Sequence, residues 1–299
     1  MLQRPAIIAD VDNTLYNFID FFGTAFRAML HAISAKTEIK EAKLVESFRV
    51  VYSKYQSLEY PFSVQELPAI QELNLSRDRL DDVIHAAKVA FGQSRKRRLK
   101  LYPNVKETLA WLKSQGYTLV AYTDGPFGPS GRRLRHLGVL SSFDAVIGWG
   151  PLREGKVVPV HLISENIGKW FVDAQLPPPA SKSKVRERYV QGDDLKPNPA
   201  LLRDLIAEMK LDSHNSWLVG DSKAKDLLPA REVGLHDVWA RYGRHYDKEN
   251  WDTLVSISPW RESAIRREES SVPGFAPSYT IDDFSDLRTI IPPLQNSLF

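Results

Sequence analysis

The chain has 299 residues, 43% of them apolar and 26% charged, with a formal net charge of +3 and no cysteine. That length buries a sizeable core in one or two domains, and the small charge does not by itself indicate a nucleic-acid partner. Without cysteine there is no disulfide, no thiolate zinc site and no cysteine nucleophile, which fits a reducing compartment. No charged leader precedes the first strand, and no apolar stretch approaches the ~18 residues of a membrane span. The expectation is a cytoplasmic protein with no membrane partner.

Residues 5–11, PAIIADV, read as a buried strand that ends in Asp10, Val11 and Asp12. Residues 18–34, 39–58 and 76–97 carry apolar residues at helical spacing, with Ser76 placed to cap the third. No strand is expected between Asn17 and Lys100. Pro103 then opens a helix that Gly116 ends. YTLVAYT (117–123) is a strand, followed by Asp124-Gly125-Pro126. A short helix near 129–137, a strand at 143–149, a helix at 199–210, a strand at 216–221, a helix to Val233 and a strand at 236–241 follow.

Strands alternating with helices predict an α/β fold, a Rossmann-like, doubly wound parallel sheet. The all-helical block at 16–100 is too long for a crossover and reads as an inserted domain. The core is then 1–15 with 101–299. It carries a less regular insertion at about 151–192, with a basic Lys182–Arg188 stretch, and a C-terminal extension from about 243.

In open α/β sheets, ligands bind beyond the carboxyl ends of the strands. Four such places carry chemistry here. They are Asp10-Val11-Asp12-Asn13-Thr14, Thr123-Asp124-Gly125, Lys196 before Pro197-Asn198-Pro199, and Gly220-Asp221-Ser222-Lys223 with Asp226 close behind. Two carboxylates one residue apart at the end of a buried strand repel each other and resist desolvation. A hard divalent cation removes that conflict.

The set resembles the haloacid dehalogenase (HAD) superfamily of hydrolases, with all four of its motifs in order and a helical insertion after the first. The resemblance covers about two-thirds of the chain. It implies a helical cap at 16–100 that closes over the leaving group and selects the substrate. It implies Asp10 as the nucleophile that forms an aspartyl-phosphate and Asp12 as the general acid and base. Thr123, with Asp124 and Gly125 beside it, and Lys196 would hold the phosphoryl group. Mg²⁺ would be held by Asp10, Asp12 (through its carbonyl), Asp221 and Asp226. The acid at position 12 favours phosphoester over halide chemistry, because an alkoxide needs a proton to leave and a halide does not. The expected activity is Mg²⁺-dependent hydrolysis of a small phosphorylated metabolite by a monomer or homodimer. The alternatives are a phosphotransferase or mutase with the same nucleophile, and a non-catalytic binding protein on the same fold.

Other features have plainer readings. SRKRRLK (94–100) reads as a solvated helix face with no nucleic-acid partner. Val160, Ile163, Ile167 and Trp170 fall at helical spacing and read as packing against the core. Asp193 and Asp194 read as a solvated loop.

Overall fold

The computed structural model describes residues 3–60, 62–149, 152–153, 156–157, 186–190, 195–258, 272 and 274–294. The expected stripe at 160–170 and the acidic pair at 193–194 lie outside them. The chain divides into two compact units: residues 1–15, 101–244 and 271–299, and residues 16–100 with 245–270.

The first unit is built on seven strands: β1 (Ala6–Asp10), β2 (Thr118–Pro126), β3 (Ala145–Trp149), β6 (Arg186–Val190), β7 (Trp217–Gly220), β8 (His236–Ala240) and β9 (Tyr279–Ile281). They form one sheet in the order β6-β3-β2-β1-β7-β8-β9, and every pairing is parallel. A separate antiparallel pair, β4 (Leu152–Arg153) and β5 (Lys156–Val157), follows β3. The central β1 is buried along its whole length, which its Ala-Ile-Ile-Ala run requires of a strand covered on both faces. Ile8, Val120, Ile147 and Leu218 form a hydrophobic core with Leu202 and Leu205 of the helix Pro199–Met209.

The sheet is larger than the sequence suggests. Arg186–Val190, expected as part of a basic irregular insertion, pairs with β3 as an edge strand. Three consecutive charges, Arg186-Glu187-Arg188, hide a strand at the edge of the described sheet. The second strand, expected to end at Thr123, runs on through Asp124-Gly125-Pro126, with a break in register between Tyr122 and Pro126.

The second unit is helical: α1 (Phe18–Thr37), α2 (Glu41–Tyr55), α3 (Ser63–Glu66), α4 (Pro68–Gln71) and α5 (Arg77–Arg98). Its core is aromatic. Phe26 meets Phe48 edge-on at 4.9 Å between ring centres, and Phe22 meets Phe91 at 5.5 Å. Ser76 caps α5 by accepting from the Arg79 N–H. The basic run Arg95–Arg98 is exposed and forms the last turn of α5, where the helix dipole favours cations.

A further helix, Lys248–Ile257, also packs in this unit. Arg27 of α1 pairs with Glu249 at 3.3 Å, and the Asn250 amide donates to Asp20 at 3.1 Å. The sequence predicts no helix here and places residues from about 243 in an extension of the core; residues 101–244 of the first unit lie between this helix and residues 16–100 along the chain. Among the described residues no helix is long and apolar enough to cross a membrane.

Candidate active site

Parallel register brings the strand ends together. Asp10 stands opposite Tyr122 of β2, and Ala9 stands opposite Val219 of β7. Asp12 and Asp221, just past β1 and β7, and Thr123, near the end of β2, therefore come side by side at one sheet edge.

The loop after β1 is tightly wound. Leu15 N–H donates to the Val11 carbonyl at 3.0 Å, and Asn13 takes a left-handed conformation with φ 62°, which asparagine tolerates better than most residues. The buried Thr14 hydroxyl donates to Asp10 Oδ2 at 2.9 Å.

Lys196 arrives from a loop far along the chain, and its ammonium is almost wholly buried. It donates to Asp10 Oδ1 at 2.6 Å, to Asp226 Oδ1 at 2.8 Å and to the Tyr122 carbonyl at 3.0 Å. These three acceptors match the three N–H bonds of a charged lysine. Its backbone N–H donates to Asp124 Oδ1 at 2.9 Å. The Asp124 side chain thus anchors the Lys196 loop.

Asp226 is the second anchor. Its Oδ2 accepts from the Ser222 N–H at 3.1 Å, within a π-helical turn over Lys223–Leu227. A methyl group at position 220 would lie 2.3 Å from Asp226 Oδ2, so only glycine lets β7 end this close to the carboxylate. Carboxylate oxygens of Asp10, Asp221 and Asp226 can all lie within 4.8 Å of one another.

The Asp12 carboxylate turns away from this cluster. Its Oδ2 accepts from the Thr123 hydroxyl at 3.2 Å, and its Oδ1 faces the Arg133 guanidinium at 3.5 Å. The Gly125 N–H donates to the Thr123 oxygen at 2.9 Å.

Burial dominates the electrostatics. It pushes the Asp10 carboxyl up to about 7, against the pull of the Lys196 charge, with Asp226 and Asp12 adding to the rise. Asp124 is also raised, by burial first. Lys196 is held well above its ordinary value; burial disfavours its charge, but Asp10, Asp226 and Asp124 more than offset that. One lysine is shared by several acids, so negative charge is left under-compensated.

Sequence reasoning missed the residues that brace the site. The segment after β8 folds back over the first loop. Tyr242 donates to the Thr14 carbonyl at 2.7 Å, Trp239 donates to the Asp221 carbonyl at 3.0 Å, and Arg244 lies 3.7 Å from Asp221 Oδ2. Gly243 permits that approach, since a methyl there would sit 2.1 Å from the Asn13 carbonyl oxygen. Only the glycine in ARYGRH hinted at close contact. Arg133 had one signal: Ser130 and Arg133 stand three apart on the helix that follows Thr123, and so share a face.

Residues 5–163 match the family described as haloacid dehalogenase-like hydrolase, and residues 195–257 match a second description, HAD-hydrolase-like. The chain is 27% identical over 251 residues to the glyceraldehyde 3-phosphate phosphatase of Methanopyrus kandleri, covering 82% of this chain and 87% of that one. It is 27% identical over 192 residues to the phosphoglycolate phosphatase of Mannheimia succiniciproducens, covering 64% of this chain. That match spans 58% of the relative, little more than half its length. Two solved structures share the fold. One is 2-haloacid dehalogenase from Pseudomonas syringae pv. Tomato, with TM-score 0.56, 15% identity and coverage of 96% of this chain and 98% of that one. The other is a HAD phosphatase from Thermococcus onnurineus, with TM-score 0.51, 18% identity and coverage of 97% and 98%. The chain belongs to the haloacid dehalogenase-like hydrolase family, as an enzyme of its phosphatase type.

Proposed function

We propose that the protein hydrolyses a small phosphomonoester through an aspartyl-phosphate on Asp10, with Mg²⁺ as its cofactor. The observation that carries this reading is the separation of the two opening carboxylates. Asp10 faces Lys196, while Asp12 faces Thr123 and Arg133. The two acids have different surroundings, as two different tasks require.

The donor set suits a hard cation, being carboxylate oxygen throughout. The raised Asp10 carboxyl is what a buried acid shows when its charge lacks compensation. Asp10 and Asp221 would hold the ion, with the Asp12 carbonyl. Asp226 accepts from Lys196 through one oxygen and from the Ser222 N–H through the other, which suits it to anchor Lys196 against the loop after β7. When bound, the ion would supply positive charge to Asp10 and to the phosphoryl oxygens.

The chain's own groups do the rest. A carboxylate oxygen of Asp10 attacks phosphorus, and the bond from phosphorus to the ester oxygen breaks. Asp12 gives its proton to the departing oxygen. Asp12, now ionised, takes a proton from water as the water oxygen attacks phosphorus and releases Asp10. Lys196 keeps Asp10 oriented and offsets charge as it develops. The relatives named for glyceraldehyde 3-phosphate and phosphoglycolate support a substrate of similarly small size.

The test is release of inorganic phosphate from nitrophenyl phosphate. Activity should vanish in excess chelator and return with Mg²⁺. Acid-quenched protein should carry phosphate on Asp10 in the wild type and none in Asp10→Asn. Full activity in excess chelator would overturn the reading.

A further inference from the structure

The Asp12 carboxylate is held from two sides. Thr123 donates to one oxygen at 3.2 Å, and the Arg133 guanidinium approaches the other at 3.5 Å. The Arg133 side chain is 4% exposed and that of Asp12 is 24% exposed. A guanidinium that deep needs an anionic neighbour, because taking the charge out of water costs several kcal/mol unless it is paired. Its Nη2 donates to the Ser130 hydroxyl at 3.0 Å, which fixes the planar group relative to its own helix, Phe127–His136.

The packing leaves little freedom. A methyl at Gly125 would meet Ser130 Oγ at 2.8 Å, Thr123 Oγ1 at 3.2 Å and Asp12 Oδ2 at 3.3 Å, so the backbone of β2 lies against all three. An aspartate carboxyl rotates easily about its last bond. A contact on each oxygen, from Thr123 and from Arg133, restricts that rotation.

We propose that Arg133 is a positioning residue for Asp12, fixing through its charge and its Ser130 contact the orientation from which Asp12 exchanges its proton with the leaving group and with water. This rests on the acid-base role given to Asp12 above. A proton donor rotated away from the departing oxygen harms substrates whose leaving group needs the proton and spares those whose leaving group does not. An arginine that merely supported the fold would lower both alike.

The test compares kcat/KM on nitrophenyl phosphate and phenyl phosphate for wild type, Arg133→Met, Asp12→Asn and the double variant. Arg133→Met should lose at least about tenfold more activity on phenyl than on nitrophenyl phosphate, the scale of one hydrogen bond to a charged group. In the Asp12→Asn background, Arg133→Met should add no further selectivity between the two substrates. Equal losses on both substrates, or a selectivity that persists without Asp12, would overturn the proposal. If Arg133→Met does not fold, Arg133→Lys and Ser130→Ala decide. Each should show the same bias at smaller size, and parallel losses in both would refute it. Asp12→Asn alone separates the two hypotheses. If it shows no leaving-group bias, the acid-base role fails and takes this inference with it. If it shows the bias and the Arg133 variants do not, only the inference fails.

Discussion

The Lys196 ammonium lies 2.6 Å from Asp10 Oδ1, although 186 positions separate the two residues in the chain. Both side chains are nearly inaccessible to water. A buried pair of this kind contributes little net stability, yet losing one partner typically costs about 3–5 kcal/mol. Lys196→Met should therefore abolish turnover and lower the urea midpoint sharply. Adding Asp226→Asn should restore part of the stability, because one stranded charge disappears, and none of the activity. Recovery of activity in the double variant would show that the lysine is not needed for chemistry.

The two opening carboxylates should fail differently. Asp10→Asn should leave no phosphoenzyme with any substrate. Asp12→Asn should still form it from nitrophenyl phosphate but accumulate it, because hydrolysis lacks its base. Rapid-quench measurement of the phosphoenzyme reads both. Identical behaviour of the two variants would contradict the division of labour.

The raised Asp10 carboxyl makes a prediction about stability without divalent cation. Its folded value, about 7, lies above the unfolded value near 3.8. Between these limits the native state keeps a proton that the unfolded chain gives up. Stability contributed by Asp10 is then fully present below about pH 4 and is lost as pH rises through 7. In chelator, urea midpoints should fall from pH 5 to pH 7.5 more steeply in the wild type than in Asp10→Asn. A cation that Asp10 ligates should flatten the wild-type slope.

Gly243 offers a test by size alone. Gly243→Ala places a methyl where the Asn13 carbonyl now lies, and also 2.8 Å from Asp221 Cβ. Overpacking of this kind costs about 1–3 kcal/mol. Here it also displaces the loop between Asp12 and Thr14, so turnover should fall at least tenfold while most of the fold survives. Unchanged kinetics would mean the segment after β8 plays no part in holding the site.

How far the sequence disclosed this structure depends on what each residue had to satisfy locally. The central strands were legible because Ala6–Ala9 and Leu119–Tyr122 are buried on both faces and so are continuously apolar. The four loops that form the site were legible because polar residues at buried strand ends demand an explanation. Arg186–Val190 was not, since an edge strand needs no apolar run. The helix at Lys248–Ile257 was not legible at all, because KENWDTLVSI is short and mostly polar and nothing local names the surface that will cover Leu254 and Ile257. Arg133, Tyr242 and Arg244 were passed over because surface arginines and tyrosines are common. Only the folded backbone makes these three exceptional.

That late helix has a consequence for biogenesis. The helices of residues 16–100 leave the ribosome early, but their companion over Lys248–Ile257 is synthesised only after most of the sheet. Until then the faces that will receive Leu254 and Ile257 have no permanent cover. The helical unit cannot be completed in the order in which it is encoded, since it must wait until the intervening sheet has been synthesised. A nascent chain or a premature termination product ending before Lys248 would carry an unfinished surface on residues 16–100, and chaperones and proteases would meet the defect there, far along the chain from the missing residues.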